Sequence, residues 1–364
     1  MTDVAVLGAG HGGLAAAADL SRRGFRVRLQ NRSAGPIRAV EEAGGIRTSG
    51  AIGDGLATID VATTDLPAAV DGVEAIIVVL PAVAHADVAR SLVDALAPDV
   101  PVVLNPGHMC GSLHLKRVFS RMGLIPPPIV ELGTLSYICR SPEPGAVDVF
   151  LRAQGVPTAV SPPDRSDLIG LAEELFPGVR RVASPIEAWL YDVNIVLHPP
   201  GMVLGSAWLE ATSGGYRFYA DGITPSVEGV MNALDLERRA VGAAFGLQLP
   251  SLAETMAALG SADPAAAARG ALGEAVRRGR ANRSIRAPAS VDHRYLHEDV
   301  PFGLVPMMAL AAAGGVETPV AAALTVLAEV MTDCTYRRDG LTASFLGLEG
   351  LDAAGVERML VGDG

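Results

Sequence analysis

Val4-Ala-Val-Leu7, then Gly8-Ala-Gly10-His11-Gly12-Gly13, then Leu14-Ala-Ala-Ala-Ala-Asp19-Leu20 is the stretch from which the fold can be read. Four aliphatic residues in a row make a short strand, and the Ala- and Leu-rich run after the glycines has the apolar content of a packed helix. Between them stands Gly8-x-Gly10-x-x-Gly13. The first glycine permits a tight turn and the second lets the backbone approach a pyrophosphate. The third lets the helix close on the sheet while its N-terminal N–H groups face the anion. The stretch predicts a dinucleotide-binding βαβ unit, with a nicotinamide dinucleotide preferred to FAD and to the glycine loop of a methyltransferase. Gly8, Gly10, Gly12 and Gly13 are its cofactor-binding residues, and His11 is expected to cap the helix start.

Working outward, further aliphatic runs lie at Arg26 to Leu29, Ala75 to Leu80, Val102 to Leu104 and Ile129 to Leu132, with helical stretches at Leu14 to Arg23 and His85 to Leu96. Alternation of this kind implies a parallel sheet, and the wholly apolar Ala75 to Leu80 reads as a strand covered on both faces, as in a doubly wound Rossmann domain. Pro81, which ends that run, is assigned to the cofactor site. The second strand ends at Gln30-Asn31-Arg32, without the carboxylate that usually holds the adenosine ribose 2′-hydroxyl of NAD. Asn31 can still bind a hydroxyl, while Arg32 with Arg38 suits a 2′-phosphate through the guanidinium fork, so NADP(H) is favoured over NAD(H).

After about residue 182 the strand-like runs give way to helical ones, which places the α/β dinucleotide domain at 1–182 and an all-α domain at 183–364. Thr224-Pro225 reads as an N-cap with proline at the first helical position, opening a core helix that lasts until Gly246. Ala265 to Arg280 and Pro319 to Thr332 are further helical stretches. The proline-rich segment Pro288 to Pro306 is expected to be a pinned loop. Val193 to Leu209 and Val300 to Val316 carry no charge but are interrupted by prolines, so neither is expected to span a membrane.

A length of 364 residues asks for two cores, and 49% hydrophobic against 19% charged residues supplies the material for both. The net charge of −11 disfavours nucleic acid, whose phosphates need clustered Lys and Arg. Cys110, Cys139 and Cys334 are widely spaced and odd in number, which offers no CxxC metal clip and fits a reducing cytoplasm. No metal is expected. The N-terminus lacks the order of residues that a signal peptide has.

Three stretches of the second half carry a resemblance: Asn194-Ile-Val-Leu-His198-Pro199; Thr224 to Arg238, with Asp235, Glu237 and Arg238; and His293-Arg294-Tyr295-Leu-His297-Glu298-Asp299-Val-Pro301-Phe-Gly303-Leu-Val-Pro306. With Gly8 to Gly13, Asn105-Pro-Gly107 and Glu131 to Arg140 they resemble the opine dehydrogenase family, the octopine and nopaline dehydrogenases and their bacterial relatives, over nearly the whole chain. The resemblance implies reductive joining of a 2-oxo acid, such as pyruvate, to the amino group of an amino acid. It implies His198 as acid/base, Asp299 as its partner and Arg294 as the grip on a substrate carboxylate, with Glu131, Thr134 and Cys139 lining the site in the cleft between the domains. His297 departs from the pattern, standing where a small hydroxyl residue is common, and could tune substrate choice or carry a second proton. The chemistry agrees: an imidazole titrates near neutrality, and a carboxylate fixes its tautomer. A homodimer is a possible assembly. The rivals are a two-domain reductase resembling ketopantoate reductase or glycerol-3-phosphate dehydrogenase, and a non-catalytic dinucleotide sensor.

Overall fold

A computed structural model of the protein describes residues 2–97, 99–280 and 282–362. The chain separates into a first unit running to Gly107 and from Gly111 to Pro185, and a second made of His108–Cys110 with the chain from Ile186 onward.

The first unit contains β1 (Asp3–Leu7), β2 (Arg26–Gln30), β3 (Ile46–Gly50), β4 (Gly55–Ala57), β5 (Val61–Thr63), β6 (Ala75–Val78), β7 (Val102–Leu104), β8 (Ile129–Leu132), β9 (Tyr137–Arg140), β10 (Ala146–Arg152), β11 (Val156–Ser161) and β12 (Val179–Arg181). Eight of these form one sheet in the order β12-β11-β8-β7-β6-β1-β2-β5, parallel except where β11 runs against β8. Val4 pairs with Val27 on one side and Ala75 on the other, so β1 and β6 are neighbours at the point where the strand order reverses. Val4 to Leu7 and Ala75 to Val78 are buried throughout, as strands covered on both faces require.

A second sheet, β4-β3-β10-β9, was not legible from the sequence. Its presence explains the helix His11–Arg22, whose residues Gly13 to Leu20 are all buried: the helix touches strands of both sheets. Asp19 within it is buried too, and its carboxylate accepts from Tyr137 of β9 at 2.9 Å and from the Arg152 Nε of β10 at 3.1 Å. A charged residue in an alanine run is thus the clasp between helix and second sheet.

In the second unit the helix Pro225–Ala244 begins as expected, with Thr224 accepting from the Val227 N–H and proline in the first turn, and Gly246 follows in the left-handed region at φ 72°. Pro199 and Pro200 lie inside the helix Asn194–Thr212, where Ile195 to Val203 are all buried; packing overrides the lost backbone bonds. Two expectations need correction. Ala265 to Arg280 is two short helices, Pro264–Ala267 and Leu272–Arg278, because Gly270 turns the chain at φ 72°. Pro288 to Pro306 is not a loop: it carries the helix Arg294–His297, a π-helical turn Val300–Leu304, and the start of Val305–Ala313, which opens on Pro306 where no N–H is required. Among the described residues no helix is long and apolar enough to cross a membrane.

The polar residues of the Thr224 to Arg238 stretch hold this unit together. Arg238 is buried, donating from Nε to Asp235 at 2.8 Å, from Nη1 to the Leu190 carbonyl at 2.7 Å and from Nη2 to the Pro250 carbonyl at 2.8 Å. Asp235 also accepts from the Leu252 N–H at 2.9 Å. Glu237 accepts from the N–H groups of Val320 and Ala321, at 2.6 and 3.0 Å, and so caps the helix Pro319–Thr332 from another element.

Removing one partner of this buried pair strands the other. Arg238→Met is expected to lower the unfolding free energy by about 3–5 kcal/mol, and the Asp235→Asn/Arg238→Met double variant to recover part of that loss. Urea unfolding followed by tryptophan fluorescence checks it, since both tryptophans, Trp189 and Trp208, belong to the second unit.

Candidate active site

The glycine turn sits at the carboxyl end of β1, beside β6. Gly8 has φ +112°, and a Cβ there would lie 2.4 Å from the Val79 carbonyl; a Cβ on Gly13 would lie 1.8 Å from the Gly8 carbonyl. Both must therefore be glycine for the turn to close. Gly10 differs, since a Cβ there would meet nothing within 4 Å. The space over Gly10 is what a phosphate would fill. Gly10, not His11 as expected, is the N-cap of the helix, and no side chain caps it, which leaves the first turn to a ligand. Gly12 packs against Leu135 and Val79. Pro81 follows β6 on the same side, opening the turn Ala82–Ala84.

The Asn31 side chain braces this turn: its Oδ1 accepts from the Ala9 N–H at 3.1 Å and its Nδ2 donates to the Ser33 carbonyl at 3.0 Å. The amide keeps a second N–H and a second lone pair beyond these two bonds. Arg32 and Arg38 are exposed. Among the described residues neither guanidinium is held by an ion pair or hydrogen bond, which suits them to an anion.

Of the other first-unit residues, Glu131 is buried in the interior strand β8, and its carboxylate accepts from the Ser112 N–H at 3.1 Å and from the Ser112 hydroxyl. It caps the helix Gly111–Arg121, and a Cβ on Gly107 would strike it at 2.2 Å. Cys139 is buried on β9, where burial pushes its thiol up to about 12, so it stays protonated and inert. Thr134 is half-buried in the connection from β8 to β9.

The second unit brings His198 and Asp299 together: Nδ1 of the imidazole lies 2.7 Å from Asp299 Oδ2, although the residues are 101 positions apart. The other nitrogen, Nε2, lies 2.8 Å from the Tyr219 hydroxyl. Tyr295 stacks on the imidazole at 3.6 Å and 12°, and Phe218 meets it edge-on at 6.1 Å. The imidazole and Asp299 are both buried. His108, which follows Asn105-Pro-Gly107, stands 3.3 Å from Glu298 and 3.7 Å from Asp192. Burial alone would lower its pKa, but Glu298 and Asp192 prevail and raise it to about 9, so it is a cation at neutral pH. Asp299 is pushed above the usual carboxylate range by burial and then by Asp192 and Glu298, while His108 and Arg294 pull it back.

Arg294 is exposed and tied only loosely to Glu298, at 3.8 Å. His297 is held at both ring nitrogens, by Asp292 at 2.7 Å and by the Tyr336 hydroxyl at 2.7 Å. His293, whose pKa is lowered to about 4 by burial and by the neighbouring Arg294, accepts from the Tyr295 N–H and caps the short helix. Sequence reasoning missed Tyr219, Tyr295, Glu298, Asp192 and His108. Tyr295 and Glu298 lay inside a quoted stretch, and His108 directly followed another. Nothing local marked Tyr219 or Asp192.

Comparison with known proteins bears on this arrangement. Residues 181–332 match the family described as NAD/NADP octopine/nopaline dehydrogenase, alpha-helical domain, and residues 3–106 that described as NAD-dependent glycerol-3-phosphate dehydrogenase N-terminus. An opine dehydrogenase of Arthrobacter sp. (strain 1C) is 33% identical over 356 residues, 97% of each chain. Two solved structures share the fold: octopine dehydrogenase with NADH and L-arginine, at TM-score 0.75 and 18% identity, and yersinopine dehydrogenase with NADP+, at TM-score 0.73 and 16% identity. Each comparison covers 100% of this chain and 98% of the other. The glycerol-3-phosphate dehydrogenase match stops within the nucleotide half, so the rival reductase and the non-catalytic sensor give way. The helical half decides the matter: this chain belongs to the octopine and nopaline, or opine, dehydrogenase family and is a nicotinamide-dependent oxidoreductase acting on a carbon–nitrogen bond.

Proposed function

We propose that this chain joins a 2-oxo acid, such as pyruvate, to the amino group of an amino acid and reduces the resulting imine, with NADPH preferred to NADH. The observation that carries this reading is the buried His198–Asp299 pair, an imidazole whose tautomer a carboxylate sets. Condensation needs one proton taken from the substrate ammonium before nitrogen can attack the carbonyl. It then needs one proton given to the carbinolamine oxygen before water can leave. A single group that acts first as base and then as acid closes that cycle, and imidazole is the side chain suited to both roles near pH 7. A reduced nicotinamide, when bound, supplies the hydride to the imine carbon.

Gly8, Gly10, Gly12 and Gly13 would hold the pyrophosphate and Pro81 border the cofactor, with Arg32 and Arg38 taking the 2′-phosphate. Arg294 offers its exposed fork to a substrate carboxylate, and Thr134 is retained as a first-unit contact. His108 sets the charge of the centre: its cation offsets Asp192 and Glu298 and opposes the rise of the Asp299 pKa. We place the enzyme in the cytoplasm, in keeping with its three free cysteines. We read it as a homodimer, for which the exposed apolar stripe Val326, Leu327 and Val330 on one helix is the natural contact.

The direct test is a panel of 2-oxo acids and amino acids, with cofactor oxidation followed and product mass identified. Oxidation should require the amine, and oxidation by the 2-oxo acid alone would defeat the reading. His198→Ala should cut turnover by roughly 10²- to 10⁴-fold and leave cofactor affinity intact. Arg32→Ala should raise the Michaelis constant for NADPH far more than that for NADH, and equal effects would remove the 2′-phosphate assignment. Finally, a histidine whose folded pKa is raised from 6.5 to about 9 stabilises the fold fully below pH 6.5 and loses that contribution as pH rises through 9. Melting temperatures from pH 6 to pH 10 should therefore fall for the wild type and follow a flatter course in His108→Gln across that window.

A further inference from the structure

The acid/base reading leaves one contact unused. His198 Nδ1 is engaged by Asp299, and Nε2, the nitrogen that would have to exchange protons with a substrate, lies 2.8 Å from the Tyr219 hydroxyl. The ring between them is buried, with Tyr295 covering one face. A proton leaving Nε2 must therefore pass through the phenol oxygen, or Tyr219 must first move away.

The surroundings oppose movement. Tyr219 is itself buried and packs edge-on to Phe218 at 5.1 Å and 88°. Its backbone is pinned on both sides: the Phe218 N–H donates to the Ile285 carbonyl at 2.8 Å and the Asp221 N–H to the Arg217 carbonyl at 2.9 Å. Gly222 approaches so closely that a Cβ there would lie 2.4 Å from the Phe218 carbonyl. A hydroxyl, unlike a ring, needs no displacement to pass a proton, because it donates and accepts at the same oxygen.

We propose that Tyr219 is the terminal group of an Asp299–His198–Tyr219 proton relay and exchanges the proton with the substrate itself, an inference that rests on the acid/base role of His198 argued above. In the base direction the substrate ammonium gives a proton to the Tyr219 oxygen while the phenol proton passes to His198 Nε2; Nδ1–H stays on Asp299. In the acid direction the proton on Nε2 returns to the phenol oxygen, and the phenol proton goes to the carbinolamine oxygen as its carbon–oxygen bond breaks to release water. One proton enters and one leaves, so the relay ends as it began. No oxidant or further reactant is required.

The test compares Tyr219→Phe with the wild type in condensation of a 2-oxo acid with an amino acid, followed in single turnover in mixtures of light and heavy water. Tyr219→Phe keeps the ring and its packing, and tryptophan fluorescence with NADPH titration verifies fold and cofactor site. The relay predicts a rate loss of roughly 10²-fold, unchanged NADPH affinity, and replacement of a bowed dependence on deuterium fraction, from two protons in flight, by a linear one. A rate within about threefold of wild type, or a faster one, would overturn the relay and make Tyr219 dispensable. A slower rate that keeps the wild-type deuterium dependence would also overturn it, leaving Tyr219 only to orient the imidazole. As a second variant, Tyr219→3-fluorotyrosine preserves size and hydrogen bond while acidifying the phenol. Its pH–rate profile should shift toward lower pH, and an unshifted profile counts against the proposal. His198→Ala separates this inference from the reading beneath it. If that variant is fully active, the acid/base assignment fails; if it is inactive while Tyr219→Phe is not, the relay alone fails.

Discussion

The hydrogen bond of 2.7 Å between His198 and Asp299 is the constraint around which the helical unit is arranged. It links the helix Asn194–Thr212 to the residue that opens the π-helical turn Val300–Leu304. It does so away from water, where an uncompensated charge would be costly. Asp192, Glu298 and Asp299 would bring three carboxylates into one buried region, and the His108 cation is what makes that tolerable. His108 and Cys110 both hold positive φ, at 59° and 61°, in the left-handed region that non-glycine residues rarely enter. Such strain persists where the surroundings over-determine the conformation, and here two carboxylates flank the His108 ring.

The nucleotide turn follows a different logic. Its requirements are steric: Gly8 and Gly13 are fixed by backbone oxygens that leave no room for a Cβ, while Gly10 is fixed by nothing in the protein. Within this turn, open space over Gly10 at the end of a strand and the start of a helix is where a pyrophosphate would approach, which is the physical content of the motif. Asn31 adds a brace from the next strand, so the end of β2 both shapes the turn and presents Arg32 to solvent.

Segments that local rules would break are kept by burial. Pro199 and Pro200 remove two backbone donors from the helix that carries His198, yet Ile195 to Val203 are buried and the helix continues. Asp235, Arg238 and Glu237 serve neighbouring elements in place of a ligand, satisfying the Leu190, Pro250 and Leu252 backbone and the first turn of Pro319–Thr332. Residues that resemble a family motif thus divide into those gathered at the buried His198–Asp299 pair and those that hold the unit in shape. Sequence alone gives no way to tell Asp235 from Asp299.

What the sequence determined by itself was whatever depends on neighbours in the chain. The strand, glycine turn and helix from Val4 to Leu20 were legible because their constraints act within a few residues. The same holds for Thr224-Pro225 as a helix start and for the absence of a carboxylate after β2. The tertiary structure alone decided what depends on distant partners. The second sheet gathers β3 and β4 with β9 and β10, paired across about a hundred positions. Glu131 became a helix cap because Ser112 lies opposite it, and Tyr219 entered the site because its hydroxyl meets an imidazole 21 positions earlier. A side chain's chemistry is written in its own letter, but its pKa, partners and exposure are set by whatever the fold packs against it, and no periodicity along the chain records that.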